Sequence, residues 1–205
     1  MTIMKSVVGQ GEILSVVILV GVVLVIGTAL TALVVPQVMR ISEENNLKSL
    51  LHTEQSNLVL YREYENSTHI FLGVLRVEPG NTRYAIAILS QDLSIDAIQS
   101  AQPNIQRLVS FPQSSSSMTT YSVRRSNVFY IFGGDYYPLP SPPRQDYINV
   151  VYVPEDIVKN YVSQGRPFVV AVNKAVLNAL GVEKARIIFL VQVSDKFYEV
   201  GEWAL

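Results

Sequence analysis

The residues nearest the amino terminus form a long apolar run. From Ile13 to Met39 there is no charged residue, and the most apolar part, Ile13–Val35, would be about 34 Å long as a helix. That length matches the hydrocarbon core of a bilayer. A buried core helix would show a polar stripe or a shorter run, and a cleaved secretory signal would show a shorter apolar region with an A-x-A-like site. The pattern therefore predicts a helix that enters a membrane.

Small residues and one proline mark this run. Gly21, Gly27 and Thr28 lie within it, and Gly27 and Thr31 have the small-xxx-small spacing that permits close approach of two helices. Pro36 removes a backbone N–H and is expected to kink the helix or unwind it locally just before that position.

The helical pattern continues beyond the apolar run. Leucines and a tyrosine recur at helical spacings on one stripe, with charged and amide residues opposite. We therefore expect an amphipathic continuation, to about Tyr64, that lies at least partly against the protein's own globular part. The stripe consists of Leu47, Leu50, Leu51, Leu58 and Tyr61.

After Tyr64 the chain consists of short β-branched and aromatic segments separated by turn residues. This spacing favours an antiparallel sandwich or barrel. The segments predicted to contain strands are HIFLGVLRVEPG, TRYAIAILS, MTTYSVRR, NVFYIFGG, YINVVYV, PFVVAVN, ARIIFLVQV and FYEVGEWAL.

Two short helices and several loops complete the predicted head. The helices are Glu155–Ser163 and Lys174–Leu180, and the loops are 113–118 and 136–145. The Gly-Gly-Asp sequence at 133–135 is interpreted as a turn in preference to a ligand loop. The expected fold class is α+β, with a long N-terminal apolar helix followed by an antiparallel β-sandwich-like globular head.

Composition and charge exclude several classes of partner and of chemistry. The formal net charge is −1 and no basic face is apparent, so no nucleic-acid partner is expected. The chain has no cysteine, which excludes disulfides, thiol catalysis and zinc–thiolate sites. His52 and His69 are isolated, and no catalytic or phosphate-binding motif is present. We therefore expect no catalytic site, metal or cofactor, although a membrane-tethered enzyme stays open as a weaker alternative.

Glu12 stands at the edge of the apolar run, three residues after Gly9. Together with Lys5, Gln10 and Gly11, these residues form a basic leader, a glycine and a short polar stretch before the uninterrupted apolar helix. In this, the first forty residues resemble the type IV pilin superfamily in its archaeal form. The resemblance implies cleavage between Gly9 and Gln10 by a prepilin peptidase, with cleavage after Gly11 as the alternative.

The resemblance also implies roles in assembly. A membrane-inserted precursor would be polymerised by a pilus assembly platform into a homo-oligomeric helical filament. The carboxylate of Glu12 would neutralise the new amine of a neighbouring subunit in a low-dielectric core; alternatively, Glu12 only marks the membrane boundary and caps the helix. Gly21, Gly27, Thr28 and Pro36 would shape the packing of the helices.

Two functions follow from these expectations. The first is a structural subunit of a type IV pilus-like filament at the cell surface, with adhesion as a further role. The second is a single-pass, membrane-anchored envelope protein with a β-sandwich binding domain, of the kind found in archaellum stators.

The expected organisation is a leader at 1–9, a transmembrane and polymerisation helix at 10–65 and a head at 66–205. Asn66 begins an Asn-Ser-Thr triplet, which is a candidate for N-glycosylation if the head is extracellular.

Overall fold

The computed structural model describes residues 5–90, 105–140, 146–179 and 185–205, with side chains from Ile13 onward. The chain divides into two compact units, Met1–Ser49 and Leu50–Leu205. We call the second unit the head and describe the two separately.

The long helix α1 extends from Lys5 to Asn57. Its 53 residues correspond to about 80 Å at 1.5 Å per residue. The helix is continuous through Pro36, so the local unwinding expected before this residue is absent. A proline ring has a φ angle that suits a helix, and its cost is limited to the lost backbone donor and crowding of the preceding turn.

Helix α1 ends earlier than its sequence pattern predicts. Residues Leu58–Glu65 form strand β1 rather than the last turns of an amphipathic helix. The prediction of helix to about Tyr64 was therefore wrong for these eight residues, and the head begins at Leu50 rather than at 66. A short apolar run such as LVLY fits either element, and tertiary pairing decides between them.

The described residues of the head contain eleven strands and three short α-helices, most of which match the predicted segments. The strands are β1 (Leu58–Glu65), β2 (His69–Arg76), β3 (Tyr84–Ser90), β4 (Val109–Ser110), β5 (Thr120–Arg124), β6 (Val128–Phe132), β7 (Asp135–Pro138), β8 (Tyr147–Tyr152), β9 (Phe168–Asn173), β10 (Ala185–Val193) and β11 (Lys196–Ala204). The helices are α2 (Ile105–Leu108), α3 (Glu155–Asn160) and α4 (Lys174–Ala179), with 3₁₀ turns at Arg125–Asn127 and Val162–Gln164.

The strands of the described residues form two sheets. One has the order β1-β2-β9-β4 and the other β5-β8-β3-β10-β11-β6-β7. Among the described strands, all the pairs are antiparallel except β11 with β6. The predicted α+β class, with an antiparallel-rich head after a long helix, is confirmed.

The predictions of a turn at 133–135 and of a loop at 136–145 had different outcomes. Gly133 and Gly134 both have positive φ angles, +62° and +90°, and connect β6 to β7 as a tight hairpin. The turn is confirmed. The loop prediction was wrong for 136–138, which pair with β6, because a prolyl residue at an edge strand does not prevent pairing. Residues 141–145 lie outside the described part of the chain.

The larger sheet encloses a cluster of its own apolar residues. The members come from five of its strands and from the residue after β7, so the sheet must curl around them. Ala85, Ala87, Leu89, Val128, Leu139, Ile148, Val150, Tyr152, Ile188, Leu190 and Phe197 are all buried there.

The opposite face of the larger sheet meets the smaller one at β11. An ideal Cβ on Gly201 would lie 2.9 Å from Leu58 Cδ2 and 3.3 Å from Leu60 Cδ1 on β1. The missing side chain therefore lets two strands from different sheets approach closely, as in a sandwich.

Candidate functional site

The first unit presents an apolar helical surface. Every side chain from Ile13 to Asn46 is exposed, including valines, leucines and isoleucines throughout Ile13–Met39. Among the described residues, α1 is the one helix long and apolar enough to cross a membrane, judged by length and composition. A surface of this size in contact with water is unfavourable, so the helix needs lipid or protein around it.

Two kinds of residue in this helix bear on close packing. An ideal Cβ on Gly21 or Gly27 would meet nothing within 4 Å, so both positions are indentations in the helix surface. Thr28 Oγ1 donates to the carbonyl of Leu24 at 2.9 Å, and Thr31 Oγ1 donates to that of Gly27 at 2.8 Å. The hydroxyls are thus satisfied inside the helix and suit an apolar surrounding.

The predicted processing site and acid lie at the start of α1. The backbone of Gly9, Gln10 and Glu12 is helical, but their side chains lie outside the described part, as do residues 1–4 entirely. The roles of Glu12 in assembly or at the membrane boundary stay predictions. Pro36 lies at an exposed position within the helix.

The last two turns of α1 belong to the head and are fixed by a buried ion pair. Leu51 is fully buried, and Glu54 is 8% exposed. Arg76 on β2 donates to both carboxylate oxygens of Glu54, with Nη2–Oε1 at 2.8 Å and Nε–Oε2 at 3.2 Å. Tyr84 Oη donates to Oε2 at 2.9 Å and Thr82 Oγ1 to Oε1 at 3.0 Å. We call Glu54, Arg76, Thr82 and Tyr84 the anchor cluster.

The electrostatics of the anchor cluster favour the ionised pair. Burial opposes ionisation of Glu54, but the hydrogen bonds from Arg76, Tyr84 and Thr82 outweigh it and lower the pKa of this carboxyl, which lies in the head beyond the apolar run. The Glu54 hydrogen bond raises the pKa of Arg76. Burial, reinforced by the neighbouring carboxylate, raises the pKa of the Tyr84 hydroxyl, which therefore stays a donor.

Backbone contacts close the end of α1 next to this cluster. The carbonyl of Asn57 accepts a hydrogen bond from the N–H of Val77 at 2.9 Å. The Asn57 side-chain amide donates to Glu78 Oε2 at 3.1 Å, and Arg76 Nη1 donates to the Glu78 carbonyl. The helix end is thereby attached to the end of β2 by both backbone and side chains, as buried helix ends require.

Asn66 lies in the turn between β1 and β2, a strand's length beyond the end of α1. Its Oδ1 accepts hydrogen bonds from Thr68 N at 2.9 Å, Thr68 Oγ1 at 3.0 Å and His69 N at 2.7 Å. This is an Asx turn. The residue is partly exposed, and its glycosylation stays a prediction.

Sequence reasoning missed the anchor cluster. Its only signal is that Glu54 follows Leu51 by three positions and so falls beside the apolar stripe of the helix. The partners Arg76, Thr82 and Tyr84 lie 22 to 30 positions away, and nothing in their local pattern indicates the contact.

Comparison with known proteins adds no relative: no protein-family model, curated protein or solved structure matches the chain.

Proposed function

We propose that this protein is a structural, non-catalytic subunit of a type IV pilus-like extracellular filament. The precursor is inserted in the membrane by α1, cleaved by a prepilin peptidase between Gly9 and Gln10, and polymerised by an assembly platform. Filaments form through bundling of the apolar helices of many copies, with the heads outward.

The observation that carries the proposal is the exposed apolar surface of α1 in a chain whose residues from Leu50 onward form a compact unit of their own. The helix satisfies its own backbone and its threonine hydroxyls, so it tolerates either lipid or a bundle of copies. Association of such helices depends on close packing and a few polar contacts, since lipid is equally apolar. Gly21 and Gly27 provide indentations for close packing.

The anchor cluster suits a subunit that carries mechanical load. A pull on the helix reaches the head through Glu54, Leu51 and the backbone of Asn57, all held within the head. A charged pair with two hydrogen bonds of fixed geometry resists sliding better than apolar contacts, which are non-directional.

Glu12 has the proposed role of counter-charge to the amine of a neighbouring subunit. Glu12→Gln keeps the size of the side chain and removes its charge. It should leave membrane insertion unchanged and strongly reduce the number of filaments per cell, counted by electron microscopy with membrane blots to equalise subunit levels. Gly27→Leu should have the same effect through steric hindrance. The matched control is Glu155→Gln, because Glu155 is 85% exposed on the head.

Three results would contradict parts of the proposal. Normal filament numbers for Glu12→Gln would indicate that Glu12 only marks the membrane boundary. An N-terminus other than Gln10, found by sequencing the native protein, would remove the proposed cleavage site. Absence of the protein from sheared extracellular filaments, with all of it in membranes, would favour a permanently anchored envelope protein. The same exposed helix supports that second function, because a single such helix suffices as an anchor.

A further inference from the structure

Three aromatic side chains lie together on one face of the β1–β2 hairpin, next to the turn that contains Asn66. Tyr64 on β1 is paired with Phe71 on β2, with ring centres 5.9 Å apart, and the His69 ring lies 5.9 Å from that of Phe71. The Tyr64 side chain is 61% exposed. We call Tyr64, Phe71 and His69 the aromatic patch.

The aromatic patch is on the outer face of the smaller sheet. Leu72 and Val74 of β2 are fully buried, and successive side chains of a strand point to opposite faces. Phe71 and His69 therefore lie on the other face, where both are partly exposed. Exposed aromatic rings that are grouped in this way mark a contact surface, whereas single ones do not.

Asn66 lies on the same face as Tyr64. It directly follows β1 and comes two positions after Tyr64, and residues two apart in an extended chain project to the same side. The turn beyond it is held by backbone hydrogen bonds, from Asn66 N to the His69 carbonyl at 3.0 Å and from Lys174 N to the Thr68 carbonyl at 2.8 Å. The Asn-Ser-Thr triplet is therefore presented in a fixed position beside the patch.

The side-chain amide of Asn66 has its oxygen in use and its nitrogen available. The oxygen accepts from two backbone N–H groups, those of Thr68 and His69, and because only the oxygen of an amide can accept, the orientation of this amide is determined. Nδ2 makes no hydrogen bond to any residue that the structure describes. An N-linked sugar replaces one hydrogen on this nitrogen and leaves the oxygen as an acceptor, so the turn is compatible with the modification.

We propose that Asn66 carries an N-linked oligosaccharide whose first sugar packs on the aromatic patch. In the transfer, a bond forms between Asn66 Nδ2 and C1 of the sugar, and the bond from C1 to the phosphate of a lipid-linked oligosaccharide breaks. The amide loses one proton, and the lipid phosphate is the leaving group. The C–H face of the sugar then covers the Tyr64 ring, an apolar surface with a polar edge, and links β1 to β2 across their turn.

The attachment point is what favours a sugar over a second copy of the chain as the group that covers the patch. An oligosaccharide on Asn66 is tethered two positions from Tyr64. A tether this short gives an effective concentration on the order of millimolar or higher. The same sugar would obstruct the approach of another protein to these rings.

The inference rests on one part of the proposed function, the placement of the head outside the cell, which a permanently anchored envelope protein shares. The two proposals can therefore fail separately. A glycan on a protein that stays in membranes would support the inference and contradict the filament. An unmodified Asn66 on a protein recovered in filaments would do the reverse.

The first test is the mass of the peptide that contains Asn66, from the full-length protein isolated from the cells that naturally make it. We expect the peptide to carry an oligosaccharide, located on Asn66 by fragmentation. An unmodified peptide would overturn the inference.

The second test measures the packing by nitration of tyrosines with tetranitromethane, quantified by peptide mass. The native protein is compared with the same chain made in a bacterial host without N-glycosylation, in the same detergent. Nitration of Tyr64 should be several-fold slower in the glycosylated protein, whereas Tyr147 on β8, which is 47% exposed, should react equally in both. Equal rates at Tyr64 would mean that the sugar lies elsewhere, and slow nitration in both proteins would mean that something other than the sugar covers the ring. Either result would overturn the inference.

Variants separate the packing from a general effect of the sugar. The glycan should raise the melting temperature of the head, followed by Trp203 fluorescence, by about 2–4 °C, the size expected for one aromatic contact in a domain of this length. Tyr64→Thr removes the ring, keeps the Asn-Ser-Thr triplet and suits a strand, and it should abolish most of this difference between glycosylated and unglycosylated protein. The control is Tyr137→Thr, which removes an exposed ring on β7 and should retain the difference. An equal difference in wild type and Tyr64→Thr would overturn the packing on the patch.

Discussion

Glu54 and Arg76 are separated by 22 positions in the chain and form a doubly hydrogen-bonded ion pair, with atoms 2.8 and 3.2 Å apart, at the point where α1 enters the head. The side chains are only 11% and 9% exposed. Charges this well enclosed depend on one another, because each alone would be a buried, uncompensated ion.

Removal of one partner should therefore be costly. Glu54→Leu is expected to lower the free energy of unfolding of the head by about 3–5 kcal/mol, since it leaves Arg76 buried without its carboxylate. The double variant Glu54→Leu/Arg76→Met should recover part of this loss. Urea denaturation of residues 50–205, followed by circular dichroism, measures both effects.

The control for this pair is Glu155→Gln, which removes an exposed carboxylate and should change the stability by less than about 1 kcal/mol. A Glu54→Leu loss no greater than that of the control would show that the pair does not hold the helix end.

The boundary of the head gives a second prediction. A fragment that starts at Leu50 should be a soluble, folded monomer, because it retains Leu51, Glu54 and β1. A fragment that starts at Ser67 lacks these residues and leaves the edge of β2 and the surface around Gly201 uncovered. We expect it to aggregate or to melt at a markedly lower temperature. Size-exclusion chromatography and thermal denaturation distinguish the two fragments. Equal stability of both fragments would contradict the prediction and place the start of the head near residue 66.

Glu199 on β11 gives a prediction for the pH dependence of stability. Most paired carboxylates lose stability as pH falls, whereas Glu199 should cost stability as pH rises. Burial raises the pKa of its carboxyl to about 7, and Glu202 adds to this, while Arg186 and the hydrogen bond from the Ile131 N–H at 3.2 Å oppose it. The folded state therefore holds a proton that the unfolded state, with the ordinary value of 4.5, releases. Stability should fall as pH rises between these two values, by on the order of 3 kcal/mol from this group.

The measurement is urea denaturation of the head at a series of pH values, for wild type and Glu199→Gln. The variant should lose this fall and be the more stable protein at pH values above the folded-state pKa of Glu199. Parallel pH profiles of the two proteins would contradict the prediction.

Gly201 provides a steric prediction. Gly201→Ala places a methyl group about as far from Leu58 Cδ2 as the 2.9 Å measured for the ideal Cβ, so we expect a loss of about 1–3 kcal/mol from overpacking. The double variant Gly201→Ala/Leu58→Val removes the opposing methyl group and should lose less than the sum of the two single changes. Strict additivity of the two losses, measured by denaturation, would mean that the strands do not meet there.

The sequence predicted most of the strands and the Gly-Gly turn because these depend on local patterns. The β10 segment ARIIFLVQV is β-branched and bounded by turn residues, and Gly133–Gly134 can adopt positive φ without strain. The error at Leu58–Glu65 arose because a short apolar run such as LVLY fits a helix as well as a strand. Only pairing with β2, including the Tyr61 ring placed over Gly73, determines the outcome.

The anchor cluster could not be predicted from the sequence. It combines Glu54 of α1 with residues 22 to 30 positions further along the chain, and the burial of Glu54 depends on the finished sheets. A charged residue in a local pattern gives no indication of whether its partner will be water or a distant arginine.

Between Ile13 and Met39, α1 has no side chain that distinguishes strongly between hydrocarbon and a bundle of its own copies. Under the proposed function, transfer of a subunit from membrane to filament is then close to neutral in hydrophobic free energy. The membrane would act as a reservoir with a critical concentration. Filaments would grow when the subunit density in the membrane exceeds that value and shorten back into the lipid when it falls below, without any loss of material.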